Sequence, residues 1–180
     1  MKKLIVLIVA MFGASVCLAS PYIGAEYHHR DIAVKRCTNN TFAKKAHGYH
    51  LLAGYSLSED YSIETGYHLA RAEKLKGSHK MRGFHGSFVK HFILNTDKSW
   101  QALASFGLTH AKHTLALESF NVSKSKPVPR MMAGLEYHIT PTVAFRASFL
   151  FEGTSFLDSK KDNVKFGNSY GFNFGTRFLF

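Results

Sequence analysis

Hydrophobic and polar positions alternate with a period of two at the end of the chain. Tyr170, Phe172, Phe174, Thr176, Phe178 and Phe180 share one parity, while Gly171, Asn173, Gly175, Arg177 and Leu179 take the other. This period predicts a β-strand whose two faces meet different surroundings. An aromatic face that runs to the final residue suits lipid, and the small and polar face suits the interior of a narrow barrel.

The same alternation recurs upstream. Tyr49, Leu51, Ala53, Tyr55 and Leu57 are followed by Ser58 to Asp60 and then by Tyr61, Ile63, Thr65, Tyr67 and Leu69, which reads as a hairpin with a tight turn. The inward set of that hairpin includes His50, Gly54, Glu64 and His68. A further hairpin runs from about Met131 to Glu152. Its outward set includes Leu135, Tyr137, Phe145 and Phe149, its turn is Thr140–Pro141–Thr142, and Glu136, His138 and Arg146 point inward. Strands are also predicted from Tyr22 to about His29, from Met81 to Leu94 and from Trp100 to His110, the last two joined at Asn95–Lys98. Lys90 interrupts the aromatic parity of Phe84, Phe88 and Phe92, so it must snorkel or be shifted by a bulge.

Together these segments predict an all-β fold, an eight-stranded antiparallel up-and-down transmembrane barrel. Its short turns would alternate with long connections near 31–45, 70–80, 111–128 and 153–168. Arg146 and Arg177, inward and among Glu64 and Glu136, predict an ion-pair cluster in the lumen. An interior of eight strands can be filled by side chains, which favours packing over conduction.

The start of the chain departs from this pattern. Lys2 and Lys3 precede an uncharged run from Leu4 to Leu18 and small residues at Ala19 and Ser20, the signature of a cleavable signal peptide over 1–19 ahead of a barrel over 20–180. The apolar run falls short of the ~20 residues a membrane helix requires, and no later stretch reaches that length. Cleavage would lower the formal charge from +11 to +9 and leave Cys37 as the one cysteine, so no internal disulfide can form.

The strings GYHLLAGYSLSEDYSIETGYHL (48–69), AGLEYHITPTVAFRASF (133–149) and GFNFGTRFLF (171–180) resemble the outer-membrane β-barrel domain family of OmpA-like and opacity-type surface proteins. The resemblance implies location in a bacterial outer membrane, contact with its lipid and lipopolysaccharide, and a terminal row (Tyr170, Phe172, Phe174, Phe178, Phe180) read by the barrel assembly machinery. It fixes no activity, because members of such a fold differ in function.

Candidate chemistry lies mostly in the predicted long connections. They carry Lys35, Arg36, Lys44 and Lys45; Arg71, Lys74, Lys76 and Lys80; Lys112, Lys124 and Lys126; and Lys160, Lys161 and Lys165. One reading is attraction to lipopolysaccharide phosphates, sulfated host glycans or other polyanions. The other is a solvated surface that suits an anionic leaflet. No specific nucleic-acid partner is indicated. The 11 histidines include no metal-binding spacing, so neither a metal nor another cofactor is expected. His85–Gly86–Ser87 places a base and a hydroxyl on one strand face, but Phe88 follows and no acid partner is evident, so no catalytic residue is assigned. The function expected is therefore a non-enzymatic surface barrel presenting basic loops for adhesion or envelope contact. A lipid A-modifying hydrolase and a narrow porin-like channel are the alternatives.

Overall fold

The computed structural model describes residues 20–36, 45–74, 77–117, 120–154 and 164–180. The predicted signal peptide, Cys37, Lys44, Lys76, Lys160 and Lys161 lie outside these residues. The strands are β1 (Pro21–Arg36), β2 (Lys45–Ser56), β3 (Tyr61–Lys74), β4 (Gly77–Ile93), β5 (Trp100–Leu117), β6 (Phe120–Thr140), β7 (Val143–Glu152) and β8 (Val164–Leu179). Each pairs antiparallel with its neighbours in sequence, and β1 also pairs with β8, so the sheet closes into a barrel.

The pleat determines what each residue meets. Along β2 and β7 exposed and buried residues alternate, and the buried set points into the lumen. The outer wall is an apolar belt that includes Leu51, Phe84, Phe106, Phe145 and Phe174. With water on this face the arrangement would be strongly unfavourable, whereas lipid removes the penalty. Inside, small apolar clusters such as Val89, Leu103, Met132 and Leu150 sit among buried polar groups.

Three tight turns gather at the end of the barrel that also holds both described chain ends. They lie between Ser56 and Tyr61, between Ile93 and Trp100, and between Thr140 and Val143. In the second, Lys98 takes a positive φ of 57°, and Asn95 and Asp97 bond the backbone of Trp100 and Ser99. Lys90 keeps the outward parity of β4 with no bulge. Its ammonium snorkels to Asp60 at 2.9 Å and lies 4.0 Å from the centroid of the Tyr61 ring.

At the other end the predicted connections require correction. Residues 70–80 and 111–128 are for the most part not loops. The β3–β4 ladder runs unbroken to Lys74↔Gly77, and the β5–β6 ladder to Leu117↔Phe120, leaving only 75–76 and 118–119 between strands. β1 also continues to Arg36 and β2 starts at Lys45. The physical reason is that the apolar alternation stops where lipid stops, whereas backbone pairing does not. A tilted strand needs about 9–11 residues to cross a bilayer. β5 has 18 residues and β6 has 21, so this hairpin extends well past the apolar belt, while β7 has only 10.

Candidate functional site

Two layers of buried charge cross the lumen. In the layer nearer the turns, Arg146 on β7 reaches Glu64 on β3 at 2.7 Å and Glu136 on β6 at 3.1 Å. Arg177 on β8 donates to Glu136 at 2.7 Å and lays its guanidinium 3.6 Å from the centroid of the Tyr22 ring. The Tyr22 hydroxyl donates to Ser62 and Glu64. All four residues of the predicted ion-pair cluster thus meet in one network.

The second layer lies nearer the long hairpins and centres on Glu152. It accepts from Arg30 at 2.7 Å, Arg130 at 2.8 Å and Thr109 at 3.0 Å. Glu26 lies between the layers, 3.7 Å from Arg146 and bonded by Asn173. Arg30, Arg130 and Glu152 are site residues missing from the sequence-based set, although their parity offered a signal. Arg30 continues the inward series Glu26–His28, and Glu152 continues Arg146–Ser148. Among the described residues the buried carboxylates are Glu26, Glu64, Glu136 and Glu152, and the buried cations are Arg30, Arg130, Arg146 and Arg177. The buried set is therefore balanced in formal charge, and the other described cations lie outside it. Buried ion pairs of this kind gain little net stability after desolvation, but losing one partner is costly.

His85 and Ser87 acquire partners that the sequence did not reveal. Ser87 Oγ lies 3.4 Å from His85 Nδ1, His85 Nε2 lies 2.7 Å from His50 Nε2, and His50 Nδ1 lies 2.9 Å from Glu26. With Glu26 accepting from His50 Nδ1, the His50 Nε2 is an acceptor and His85 Nε2 the donor. This chain orders the lumen. Ser87 is only 6% exposed and faces inward, opposite the lipid-facing Phe84 and Phe88 of the same strand. His50 and His68 also share the lumen, their ring centroids 6.4 Å apart. Among the described residues no group of three or more His, Cys, Asp or Glu side chains is arranged to hold a metal ion.

The basic candidates sit largely on strands rather than in loops. Lys45, Arg71, Lys80 and Lys126 are exposed on β2, β3, β4 and β6, and Lys112 and Lys124 are half-buried on β5 and β6. Lys35 and Arg36 occupy the far end of β1, Lys74 the end of β3 and Lys165 the start of β8. The structure brings Lys124 and Lys126 to the inward-facing parity of β6, above the point where β7 ends, so they line the rim of the lumen. Arg71 and Lys80 are instead direct partners on the outer wall. Arg82 was not among the candidates. It too is exposed there, directly opposite Lys112.

Comparison with known proteins agrees with this architecture. The family model for the outer membrane protein beta-barrel domain matches residues 4–178. No curated protein sequence matches the chain. The solved structure of Neisserial surface protein A (NspA) aligns with a TM-score of 0.69 at 19% identity, covering 90% of this chain and 99% of that one. Ail of Yersinia pestis, crystallised with the heparin analogue sucrose octasulfate, aligns with a TM-score of 0.56 at 20% identity, over 89% of this chain and 99% of that one. The N-terminal barrel domain of Pseudomonas aeruginosa OprF gives a TM-score of 0.56 at 17% identity, over 88% and 97%. At these identities the likeness concerns the fold.

Proposed function

Because this chain belongs to the outer membrane protein β-barrel domain family and so resides in the bacterial outer membrane, we propose that it is a non-enzymatic scaffold presenting a cationic rim for adhesion or envelope contact with polyanions. The turn end then faces the periplasm and the long hairpins face outward. The observation that carries this reading is the division of charge. The lumen is balanced and densely bonded, while lysines such as Lys45, Lys124 and Lys126 stand on the long-hairpin side. A low-dielectric wall beneath such a rim concentrates its field toward solution and attracts sulfated or phosphorylated polymers. A similar fold crystallised with a heparin analogue gives a precedent for that ligand class on a small barrel.

Supporting the same reading, the two ion-pair layers occupy the cross-section that a channel would need open. The terminal row Tyr170, Phe172, Phe174, Phe178 and Phe180 is proposed as the signal for the barrel assembly machinery, and residues 1–19 as the cleaved export signal.

The test is retention of the folded barrel, in detergent free of lipopolysaccharide, on immobilised heparin as salt is raised. Retention that weakens steadily with salt, and is lost earlier in Lys124→Gln/Lys126→Gln, is the expected result. Absence of retention even at low salt would refute the polyanion rim.

A further inference from the structure

We propose that His29 and His47 form a two-nitrogen chelate for a first-row transition-metal cation, Cu²⁺ before Zn²⁺, on the outer wall of β1 and β2, with the Tyr27 oxygen placed as a third donor. The site is independent of the rim reading, since it uses none of the rim lysines.

Strand pairing makes the site. His29 and His47 lie 18 residues apart in the chain, a spacing that signals no metal motif, yet they are direct partners in the β1–β2 ladder. Their Nδ1 atoms stand 3.1 Å apart and their ring centroids 4.5 Å apart. A metal held by two imidazoles at ~2.0–2.1 Å sets their nitrogens about 2.9 Å apart at a right angle and about 3.4 Å apart at the tetrahedral angle. The observed separation falls between those limits, so it already fits one shared ion. Tyr27 precedes His29 by two residues on the same face of β1, and its hydroxyl lies 2.6 Å from the same His47 Nδ1. Tyr49 packs edge-on against the Tyr27 ring, 5.9 Å between centroids, and helps to hold it there. His47 Nδ1 is thus approached from two sides, and one in-plane lone pair or N–H cannot serve both neighbours well. A cation shared by the three atoms removes that conflict. All three side chains stand on paired strands of a closed sheet, so their positions are set before the ion arrives.

The surroundings specify the ion. Along this face the rows run Tyr27↔Tyr49, His29↔His47 and Asp31↔Lys45, so the pair stands where the aromatic wall gives way to charge. His47 is exposed and His29 half-buried, which leaves the remaining metal positions open to water. The neighbouring charged groups are Asp31 on β1, Lys45 on β2 and Arg71 on β3, while β8 presents Phe172 beside His29. One carboxylate against two cations makes no electrostatic well for Mg²⁺ or Ca²⁺, which need a full set of oxygen ligands. Imidazole nitrogen instead suits copper and zinc, and Cu²⁺ leads the affinity order and favours planar sets of nitrogen and oxygen. Among the described residues no third His, Cys, Asp or Glu side chain completes the set, which leaves that place to Tyr27 and water. Binding breaks the Tyr27–His47 hydrogen bond, and a coordinated Tyr27 passes its proton to solvent.

The experiment titrates the refolded barrel with Cu²⁺, without a histidine tag, in detergent and a non-coordinating buffer, and reads stoichiometry and the electron paramagnetic resonance spectrum. Wild type should bind one ion per barrel, with splitting from two nitrogens, and excess Mg²⁺ or Ca²⁺ should not displace it. His29→Gln and His47→Gln should each weaken binding by about 100-fold, since loss of even a ligand's supporting partner costs roughly 10–100-fold. Tyr27→Phe should keep the two-nitrogen signature and lose the visible phenolate-to-copper band. His110→Gln, which removes another exposed histidine, one bonded to Ser125, should bind as wild type does. The urea-unfolded chain keeps every histidine but no ladder, and its affinity should drop. Heat-modifiable migration confirms that each variant is folded, and the wild-type spectrum decides the matter even where a variant is not. A one-nitrogen spectrum, binding that survives either glutamine variant at His29 or His47, loss of binding in His110→Gln, or equal affinity in the unfolded chain overturns the proposal. An unchanged visible spectrum in Tyr27→Phe overturns the third donor.

Discussion

Arg30 and Glu152 are joined across the lumen at 2.7 Å although 122 residues separate them in the chain. Both are fully buried, and the same carboxylate also holds Arg130. The contact spans from β1 to β7, which are not sheet neighbours, so it exists only once the barrel has closed. It fastens the closed barrel and is not the product of any one hairpin.

Replacing this carboxylate by its isosteric amide should therefore destabilise the barrel strongly. In Glu152→Gln the shape is kept, but Arg30 and Arg130 remain as two buried cations without a counter-charge, a situation that costs about 3–5 kcal/mol. Reversible urea unfolding of the refolded barrel in detergent micelles would show a midpoint lowered accordingly. A loss below about 1 kcal/mol would mean that water enters this layer and replaces the carboxylate.

Glycines of the wall should divide by the face they occupy. A methyl group added at Gly48 would run into the Leu69 carbonyl and the His28 imidazole, whereas at Gly86, on the lipid side, it would meet nothing within 4 Å. Gly48→Ala must push backbone or a buried ring aside, which typically costs ~1–3 kcal/mol. Gly86→Ala has no such obstacle and removes unfolded-state freedom. The unfolding midpoint should fall in the first variant and hold or rise in the second. Matching behaviour of the two would contradict the assignment of faces.

How far the sequence revealed this molecule depends on which solvent each face meets. The parities of Tyr49 to Leu57, of Phe145 to Phe151 and of Phe172 to Phe180 are legible because lipid on one side and a polar lumen on the other enforce a contrast at every step. The same contrast marks Glu64, Glu136, Arg146 and Arg177 as inward. It is lost over 70–80 and 111–128, where the outer face turns cationic or polar, as at Arg71, Lys80 and Lys112, while the inner face stays buried at Ala72, Leu115 and Val128, and there paired strands look like loops. Lys90 was ambiguous by parity alone, because its partner Asp60 sits in a turn whose geometry only the folded hairpin fixes. The His50–His85 contact joins β2 to β4 over the top of Gly66, whose missing side chain leaves the room for both rings. No local pattern announces a contact that depends on sheet curvature.

Among the described residues, the long reach of β6 leaves one stretch of strand edge unpaired. Its pairing with β7 begins at Arg130↔Glu152, and among the described residues no strand pairs with 120–128 on that side, while β5 covers the other. The Pro129 carbonyl accepts from the Gly153 amide at 2.9 Å, which fixes the Pro129 main chain as facing the β7 side, and the pleat gives Pro127 the same direction. The Pro127 ring nitrogen, without a hydrogen, thus stands on the open edge, where an incoming strand would seek a donor, while the ladder to β5 loses nothing. Restoring a donor with Pro127→Thr should therefore leave the unfolding midpoint nearly unchanged and raise the tendency to self-associate. Chemical crosslinking of the folded barrel in micelles at increasing protein-to-detergent ratio would show dimers and higher species in Pro127→Thr at ratios where wild type stays monomeric. A variant that stays monomeric alongside wild type would show that this edge is blocked by something other than Pro127.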